Sequence, residues 1–595
     1  MTKKNIYFNE YNVPTNNSIY FPFSSGLLQA YVQQFPEITA NYHFQPFLFV
    51  RDKVDDILKK YENPDIVCCS VSVWNFELSL EVAKRVKQKY PKSYIIFGGP
   101  HVPLDGALLY EKYPFIDIMV YGEGERIFKD VLIERLEGRE PYKTVLRHDA
   151  PAKELDIFPS PYTTNVFDEI MKSYPHIEFK AIVETNRSCP FSCSFCFWGQ
   201  SSLIKKMAYH DMDFIKNEAQ WIGSNNIPYV FCADANFGMF KRDIEIANIY
   251  SDTKATHSFP EKFRVCYGKN AVETVFQTAT ILSKADLAKT VTLAIQSNNQ
   301  EVLDVIQRSN IKQSAYDNLQ KRYTEQNIPT YTELILGLPL ETKETFVNGI
   351  QSILESVINN QIFIYHCQIL PNTELADPAY MEKHGIITAR IPLAEVHGSY
   401  RSGDLVQEFE ENIIGTNTMP VPDWKECAVI AWIVQLLHGL KIGFDVTEWL
   451  VSNYNVSYMD LYAFLATSNV REFKNFYRIA EEITEGQSRC KIDKRYGNIY
   501  YEPEEMAFLN ILSTKKRFYR ELHAAIVLFL KTQDLPYNRE IKHVFNKQAD
   551  SLPDPNDFAD TQELAREIIL HGRKSNKLTN DILNRPDAPL IFPFS

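Results

Sequence analysis

One short segment of this chain, "SCPFSCSFCFWGQ", places Cys189, Cys193 and Cys196 within eight residues, while the other seven cysteines are scattered. Cysteines this close together serve a structural zinc site, a disulfide or an iron–sulfur cluster. A structural zinc needs a fourth ligand, and the next candidates, His210 and Cys232, lie outside the segment. Three cysteines holding a four-iron cubane leave one iron open to another molecule. The spacing therefore favours a cluster with an open iron.

The bulk composition is that of a soluble globular protein, with 595 residues, 45% hydrophobic and 23% charged. This length exceeds what one core supports and predicts two or three domains. A net charge of -12 and a pI near 5.7 argue against nonspecific binding to nucleic acid or an anionic membrane. Because no signal peptide or apolar run of membrane-spanning length is found, we expect a cytoplasmic protein whose cysteines are free thiols or metal ligands.

The first 140 residues alternate β-like runs with amphipathic helical stretches. The five runs are "NIYF", "NYHFQPFLF", "DIVCCSVSV", "SYIIFGG" and "DIMVYGEGE". They predict an α/β domain over residues 1–145, a doubly wound, Rossmann-like parallel sheet that binds its ligand at the carboxyl edge. Small or polar residues at that edge are the candidate cofactor contacts: Ser70, Ser72, Trp74, Gly98, Gly99, Pro100, Gly122 and Glu123.

A proline-punctuated linker is predicted over residues 146–178, and a second strand–helix series follows over residues 179–395. Its six runs, "FKAIVETN", "IPYVFCAD", "KFRVCYG", "TVTLAIQS", "IPTYTELILGLP" and "NQIFIYHCQIL", predict a partial (β/α)6 barrel. The three cysteines directly follow its first strand, at the end where such barrels do chemistry. Residues 396–595 are predicted to form a mainly helical domain whose aromatic stretches serve packing.

The C-x3-C-x2-C spacing, with the aromatic Phe195 before the third cysteine, resembles the radical S-adenosylmethionine (SAM) superfamily. The resemblance implies that the three cysteines hold a [4Fe-4S] cluster whose open iron chelates the amino and carboxylate groups of SAM. It also implies that an electron from a donor such as flavodoxin or ferredoxin cleaves SAM to a 5′-deoxyadenosyl radical.

The same resemblance implies SAM contacts at the ends of later strands. Asp234 and Asn236 would lie at the amino group, Gln296 and Ser297 at the ribose, Arg308 at the carboxylate, and Gly337 of "LGLPLET" near the adenine. For each polar residue alone, a solvated loop position is the alternative.

A doubly wound domain with "GGPH" and "GEGE" before such a barrel resembles the cobalamin-dependent class of this superfamily. The resemblance implies cobalamin bound at the carboxyl edge of the first sheet. The chain has no D-x-H-x-x-G motif to supply a histidine to cobalt. Cobalamin held without a protein histidine is therefore expected, and a domain that has lost the cofactor is the alternative.

The implied reaction is methyl transfer to an unactivated carbon of a peptide or natural-product substrate. Cobalamin-dependent rearrangement or cyclisation is one alternative. Another is peptide epimerisation, with Cys367 returning a hydrogen atom to the substrate, although most free cysteines are buried packing residues. A noncatalytic, cluster-binding assembly protein is the interpretation from a different class.

Overall fold

The computed structural model describes residues 3–14, 17–139, 143–147, 152, 154–200, 207–269, 272–288, 290–356, 361–393, 405–487 and 502–552. The first region has the elements β1 (Lys4–Asn12), β2 (Ser18–Tyr20), α1 (Phe23–Val32), α2 (Pro36–Asn41), β3 (Tyr42–Phe44), β4 (Leu48–Val50), α3 (Val54–Leu58), β5 (Pro64–Ser70), α4 (Phe76–Lys89), β6 (Tyr94–Gly98), α5 (Ala107–Lys112), β7 (Ile118–Val120), α6 (Glu125–Leu136) and β8 (Val145–Leu146).

The first sheet is parallel, in the order β3-β1-β5-β6-β7-β8, with β4 also paired to β1. Alternate residues of its central strands enter two separate cores: Ile66 and Cys68 pack on one face, and Val67 and Cys69 on the other. Both faces are thus covered, which explains the continuous apolar runs in the sequence. The doubly wound fold is confirmed; the second expected strand is divided into β3 and β4, and β8 extends one edge.

The second region has the elements α7 (Asp168–Ser173), β9 (Glu178–Val183), β10 (Asn186–Arg187), α8 (Phe197–Gln200), β11 (Ala208–Tyr209), α9 (Met212–Ser224), β12 (Tyr229–Phe237), α10 (Lys241–His257), β13 (Lys262–Tyr267), α11 (Val272–Lys284), β14 (Val291–Gln296), α12 (Gln300–Val305), α13 (Gln313–Glu325), β15 (Thr330–Leu336), α14 (Lys343–Ser356), β16 (Gln361–His366), a 3-10 turn (Glu374–Ala376), α15 (Pro378–His384), β17 (Ile387–Pro392) and β18 (Phe409–Gly415).

All six strands expected for the barrel are present, and they form two open parallel sheets, β13-β12-β9-β2 and β14-β15-β16. The outermost strand of the first of these sheets, β2, comes from the N-terminal region and pairs with β9. An antiparallel hairpin of β17 and β18 follows. This hairpin crosses the boundary that we expected at residue 395, because β18 lies in the segment predicted to be helical.

The C-terminal helices are α16 (Val421–Val434), continued by a π-helical turn (Gln435–Gly439), α17 (Phe444–Tyr454), α18 (Tyr458–Ala466), α19 (Arg471–Thr484), α20 (Pro503–Ser513), α21 (Lys515–Thr532) and α22 (Arg539–Asp550). Their core is continuous with that of β14–β16, since Leu293, Leu334 and Ile364 pack in one cluster with Trp424 and Phe508. The helical region therefore supports the second half of the barrel.

Among the helices described, none is by itself long and apolar enough to span a membrane. The helical segments 421–439 and 444–454 pass that test of length and composition only when taken together, and they are bent by 96°.

The Glu10 carboxyl predicts a pH-dependent stability. It is buried on β1 and accepts a hydrogen bond from the Ser25 backbone N–H at 2.7 Å. Burial raises its pKa from 4.5 to about 7. Because the pKa of Glu10 is higher in the folded protein than in the unfolded chain, its protonated carboxyl stabilises the fold at pH values below 4.5. This contribution to stability is lost as the pH rises from 4.5 to about 7. Glu10→Gln keeps an acceptor for Ser25 but cannot ionise, so it should remove about 3 kcal/mol of pH dependence.

Urea unfolding of the wild type and Glu10→Gln, followed by tryptophan fluorescence at several pH values between 5 and about 8, measures this difference. Equal pH slopes in the two proteins would contradict the prediction.

Candidate functional site

The three clustered cysteines lie in a loop that neighbouring elements hold in place. The loop begins after β10 and ends in α8, and the Cys196 N–H donates to the Cys193 carbonyl at 3.0 Å. The Ser194 N–H donates to the Ile306 carbonyl at 3.0 Å, and the Ser194 carbonyl accepts from the Leu375 N–H at 3.1 Å. The loop is thereby tied to segments that follow β14 and β16.

The thiols of these cysteines are free; those of Cys189 and Cys193 are buried and that of Cys196 is half-buried. In the described residues, no group of three or more His, Cys, Asp or Glu side chains is arranged to hold a metal ion. Each cysteine of a cubane binds a different iron, so the sulfurs of a cluster site need not meet at one point. Three free thiols in a fixed, largely buried loop fit a [4Fe-4S] cluster.

Two polar side chains contact the sulfur atoms. The Asn236 Nδ2 donates to the Cys189 Sγ at 3.1 Å, and the Lys269 Nζ lies 3.6 Å from the Cys193 Sγ. Hydrogen bonds and nearby positive charge stabilise thiolate ligands. Lys269 follows β13 in "YGKN" and was not among the sequence candidates; a cation directly after a barrel strand was the available signal.

Buried polar atoms without a hydrogen-bond partner indicate where a ligand of this centre would bind. Three such atoms are the Asn236 Oδ1, the Gln296 Oε1 and the Arg308 Nη1. The other nitrogens of Arg308 are engaged, since its Nε donates to the Asn310 Oδ1 at 2.8 Å and its Nη2 donates to the Ala294 carbonyl. An unpaired buried polar group costs about 1–3 kcal/mol. The three atoms are free to pair with polar groups of a ligand such as SAM, and the contact of these residues with SAM remains a prediction.

Three other SAM candidates make contacts within the protein. The buried Asp234 carboxylate accepts from the Thr185 N–H and the Asn186 Nδ2, both at 2.7 Å, and so orders the segment before the cysteine loop. Ser297 Oγ donates to the Glu341 carboxylate at 2.6 Å. Gly337 has a φ of +101°, and the Ile413 carbonyl of β18 lies 3.3 Å from where a Cβ would be. Contact of these three residues with SAM remains a prediction.

A cavity of about 120 Å³ opens beside the cysteine loop. Phe195 and Gln296 form the part of its wall nearest the loop, and Cys367 lies on the wall at the end of β16. Burial raises the pKa of Cys367 to about 12, so its thiol is protonated at neutral pH. The remaining lining residues are Glu333, Ile335, Phe363, Ile364, Tyr365, His366, Gln368, Leu370, Glu410, Asn412, Trp432, Gln435, Glu502 and Glu504.

The carboxyl edge of the first sheet has the close backbone contacts and the open space that its glycines predict. Gly99 has a φ of +106°, and a Cβ there would lie 2.7 Å from the Val71 carbonyl, so only glycine fits. Gly122 has a φ of +79° with no atom within 4 Å of a Cβ, and the nearest atom to a Cβ on Gly98 is 3.9 Å away. The chain therefore leaves room for a ligand such as cobalamin at Gly98, where β6 ends, and at Gly122, in the loop after β7.

The other candidates in these loops are held by hydrogen bonds within the protein. The Asn75 side chain accepts from the Ser72 N–H at 2.8 Å and donates to the Ser70 carbonyl at 3.0 Å. The Trp74 carbonyl accepts a long, 3.5 Å bond from Arg51, and the Pro100 carbonyl accepts from Asn372 at 3.1 Å. The Glu123 carboxylate accepts from the Ala152 N–H at 2.9 Å and pairs with Arg187 at 3.4 Å. No contact here tests their binding of cobalamin, which remains a prediction.

Arg187 forms an ion-pair cluster that sequence reasoning missed. Its guanidinium lies 2.7 Å from the Glu125 carboxylate and 2.6 Å from that of Glu184, in addition to Glu123. The charge of Arg187 holds the pKa of Glu184 at about 2 against the opposing effect of burial. An arginine two residues before the first cysteine was the signal, but two of its partners, Glu123 and Glu125, are distant in sequence.

Comparison with known proteins agrees with this geometry. Residues 35–132 match the B12 binding domain family, and residues 183–353 match the Radical SAM superfamily. A 2-(S-pantetheinyl)-carbapenam-3-carboxylate methyltransferase of Streptantibioticus cattleyicolor is 32% identical over 520 residues, which cover 85% of this chain and 75% of the relative. The cobalamin-dependent radical SAM methyltransferase TokK of Streptomyces tokunonensis is 34% identical over 467 residues, 76% of this chain and 68% of TokK.

A solved structure of the radical S-adenosylmethionine methyltransferase TsrM from Kitasatospora setae superimposes on 63% of this chain and 75% of TsrM. The sequence identity is 14% and the TM-score is 0.46.

The unpaired Arg308 nitrogen predicts a role in SAM binding. Arg308→Lys keeps the positive charge but cannot bond Asn310, Ala294 and a carboxylate together, so we expect the Kd for SAM to rise ~10-fold. Equilibrium binding to the anaerobically reconstituted protein measures this change, with iron content checked in parallel. Arg322→Lys is the matched control, because Arg322 pairs with an exposed carboxylate of Glu273. Unchanged affinity in Arg308→Lys at full iron content would contradict the assignment.

Proposed function

We propose that this chain, which belongs to the cobalamin-dependent radical SAM methyltransferases, methylates an unactivated carbon of a small cyclic carboxylate that carries a thioether arm. Its membership rests on relatives that are 32% and 34% identical over most of the chain. The family uses a [4Fe-4S] cluster, SAM and cobalamin, which when bound supply a 5′-deoxyadenosyl radical and a transferable methyl group. The substrate is the part that we propose.

The cavity beside the cysteine loop is the observation that carries this proposal. Its volume of about 120 Å³ is well below the ~300–1,000 Å³ of typical ligand pockets, so it admits a slender part of a substrate. This size supports a small natural product with a narrow arm over a folded peptide segment.

The polarity of the wall supports a substrate part rich in hydrogen-bond donors. Four carboxylates line the cavity, those of Glu333, Glu410, Glu502 and Glu504, while no lysine or arginine lines it among the described residues. Burial raises the pKa of Glu333 to about 7 against the lowering effect of Arg264. The substrate named for the Streptantibioticus relative carries a pantetheinyl arm, whose amide and hydroxyl groups are donors of this kind.

The side chains around the cavity would orient the substrate and exclude water. Ile335, Phe363 and Trp432 supply the apolar part of the wall, and Phe195, a residue of the cysteine loop, also lines the cavity. Dry surroundings prevent solvent from quenching a radical and hold the reacting groups close together. Arg308 and Asn236 would hold SAM by the polar atoms that have no partner within the protein.

The cluster must receive one electron before SAM is cleaved, and we propose a small redox protein such as flavodoxin or ferredoxin as its donor. Cys196 supports this proposal, because it is the most exposed of the three cysteines.

The substrate class is tested directly with 2-(S-pantetheinyl)-carbapenam-3-carboxylate. Reconstituted protein given this compound, SAM, cobalamin and a strong reductant should form a product heavier by one CH₂ unit, and the added carbon should carry the label of methyl-labelled SAM. A Cys193→Ala protein, which lacks one cluster ligand, is the negative control. Formation of 5′-deoxyadenosine without a methylated product would rule out this substrate while leaving the radical chemistry intact.

The Cys367 thiol distinguishes methyl transfer from epimerisation. Methyl transfer needs no hydrogen atom from a protein thiol, so Cys367→Ala should keep methylating at a rate comparable to the wild type. Cys427→Ala removes another buried free thiol, in α16, and is the matched control for packing. Product from D₂O is analysed by mass spectrometry. Solvent deuterium at carbon without a methyl gain, lost only in Cys367→Ala, would support the epimerase alternative.

A further inference from the structure

Side chains from the later part of the chain hold each of the three loops at the carboxyl edge of the first sheet. The loop after β6 is held by Asn372, which follows β16. Its Nδ2 donates to the Pro100 and Val102 carbonyls at 3.1 and 2.8 Å, and its Oδ1 accepts from the Leu104 N–H at 3.2 Å. One amide thus uses both its donor hydrogens and its acceptor on a single loop.

The loop after β5 leads into α4, and Glu408 holds the start of that helix. The Glu408 side chain is buried, and its two oxygens accept from the Glu77 and Leu78 N–H groups at 2.8 and 3.0 Å. These are among the backbone donors that a helix leaves unsatisfied at its N-terminus. Arg51 adds a second contact by donating to the Val406 carbonyl.

The loop after β7 is held by Arg187 through Glu123 and Glu125. A planar guanidinium between several carboxylates fixes direction as well as distance.

Each of these three side chains is close in sequence to a group of the catalytic centre. Arg187 lies two residues before the first cluster cysteine, Cys189. Asn372 follows Leu370, and Glu408 precedes Glu410, and both of these neighbours line the cavity. A displacement of one of the three loops relative to the barrel is therefore resisted at a point adjoining the cluster or the cavity.

We propose that Arg187, Asn372 and Glu408 are positioning residues that together hold the cobalamin loops at a set distance and orientation from the cluster. The first sheet and the barrel are already joined by a shared apolar core and by β2, so these three attachments fix the loops at the carboxyl edge rather than the domain as a whole. Transfer between two bound cofactors is sensitive to this geometry, since a 1 Å misplacement can cost ~10²-fold in rate. Cleavage of SAM at the cluster uses groups of the barrel, so variants of Asn372 and Glu408, whose hydrogen bonds go to the first domain and not to the cysteine loop, should leave it unchanged.

This inference rests on cobalamin binding at the first sheet, but it does not depend on the proposed substrate. The informative step needs no substrate: methyl transfer from SAM to a bound, reduced cobalamin would use an electron pair of the reduced cofactor, break the carbon–sulfur bond of SAM and release S-adenosylhomocysteine. Methylcobalamin formation therefore reports on the spacing between the two cofactors. Release of 5′-deoxyadenosine under strong reductant reports on the cluster and SAM alone.

Asn372→Asp is the most informative variant. Asn372 has a φ of +66°, which Asp tolerates about as well as Asn, and Asp keeps an acceptor for Leu104. It loses both donors and turns a negative charge toward the Pro100 and Val102 carbonyls. Asn455→Asp is the matched control, because Asn455 is also at a positive φ, of 54°, but is exposed at the end of α17.

In the full-length reconstituted protein, Asn372→Asp should form methylcobalamin ~10-fold more slowly while releasing 5′-deoxyadenosine within about twofold of the wild-type rate. Glu408→Gln should act in the same direction, since it keeps only one acceptor for two N–H groups. Amide hydrogen exchange of residues 98–104 should accelerate in Asn372→Asp, even without cofactors, and not in Asn455→Asp.

A wild-type rate of methylcobalamin formation in both Asn372→Asp and Glu408→Gln would overturn the proposal. A parallel loss of methylcobalamin and 5′-deoxyadenosine would also overturn it, because the contacts would then support the barrel itself. Failure of the carbapenam test, by contrast, changes neither measurement.

Discussion

A guanidinium that is mostly shielded from water is stabilised by the carboxylates around it, and the cysteine loop begins directly after such a group, Arg187. Arg187 is paired with Glu184 of its own region and with Glu123 and Glu125 of the first domain. Without the two glutamates of the first domain, Arg187 would keep Glu184 as its single carboxylate partner in this cluster, so the cluster would be weakened. The conformation of the cysteine loop is therefore coupled to the presence of the first sheet. The glutamates of "GEGE" serve this contact, while its glycines leave space at the ligand edge.

Both α/β regions use the same property of parallel strands, whose carboxyl ends collect polar loops at one edge. In the first region those loops contain Gly98, Gly99 and Gly122, where side chains would fill the space or clash with backbone. In the second they contain the cysteines, Asn236 and Arg308, with unpaired polar atoms beside the cysteine sulfurs. Arg187, Asn372 and Glu408 connect the two edges, so one site is built from two sheets.

The strands and their ligand edges could be predicted because a buried parallel strand has a local sequence pattern, an apolar run that ends in small or polar residues. Two strands lack this pattern. The strand β2 has only three residues, "SIY", and its partner β9 is far away in sequence. In β18 the buried positions include the polar residues Glu410 and Asn412, where the pattern of a buried strand would have apolar side chains.

Side-chain partners were harder to predict than strands. The sequence indicates that Asp234 ends a barrel strand, but not that Thr185 and Asn186 occupy its oxygens. The sequence likewise does not show which groups contact Lys269, Asn372 and Glu408, because the fold brings those groups together from distant parts of the chain. Spacing was enough to predict which cysteines bind the cluster, because those three lie within eight positions of one another.

The pairing of β2 with β9 has a consequence for how this architecture can be divided. The Phe21 N–H also donates to the Lys180 carbonyl at 3.0 Å, and the Phe21 and Phe179 rings stack at 4.5 Å. Cutting the chain between residues 146 and 178 would leave β2 on the N-terminal fragment and β9 on the other. β9 would then be an exposed edge strand, which can pair with other chains and aggregate. The two modules are thus interleaved: β1 belongs to the first sheet, while β2, which follows it directly in sequence, completes a sheet of the barrel, so a homologous replacement succeeds only if both modules are exchanged together.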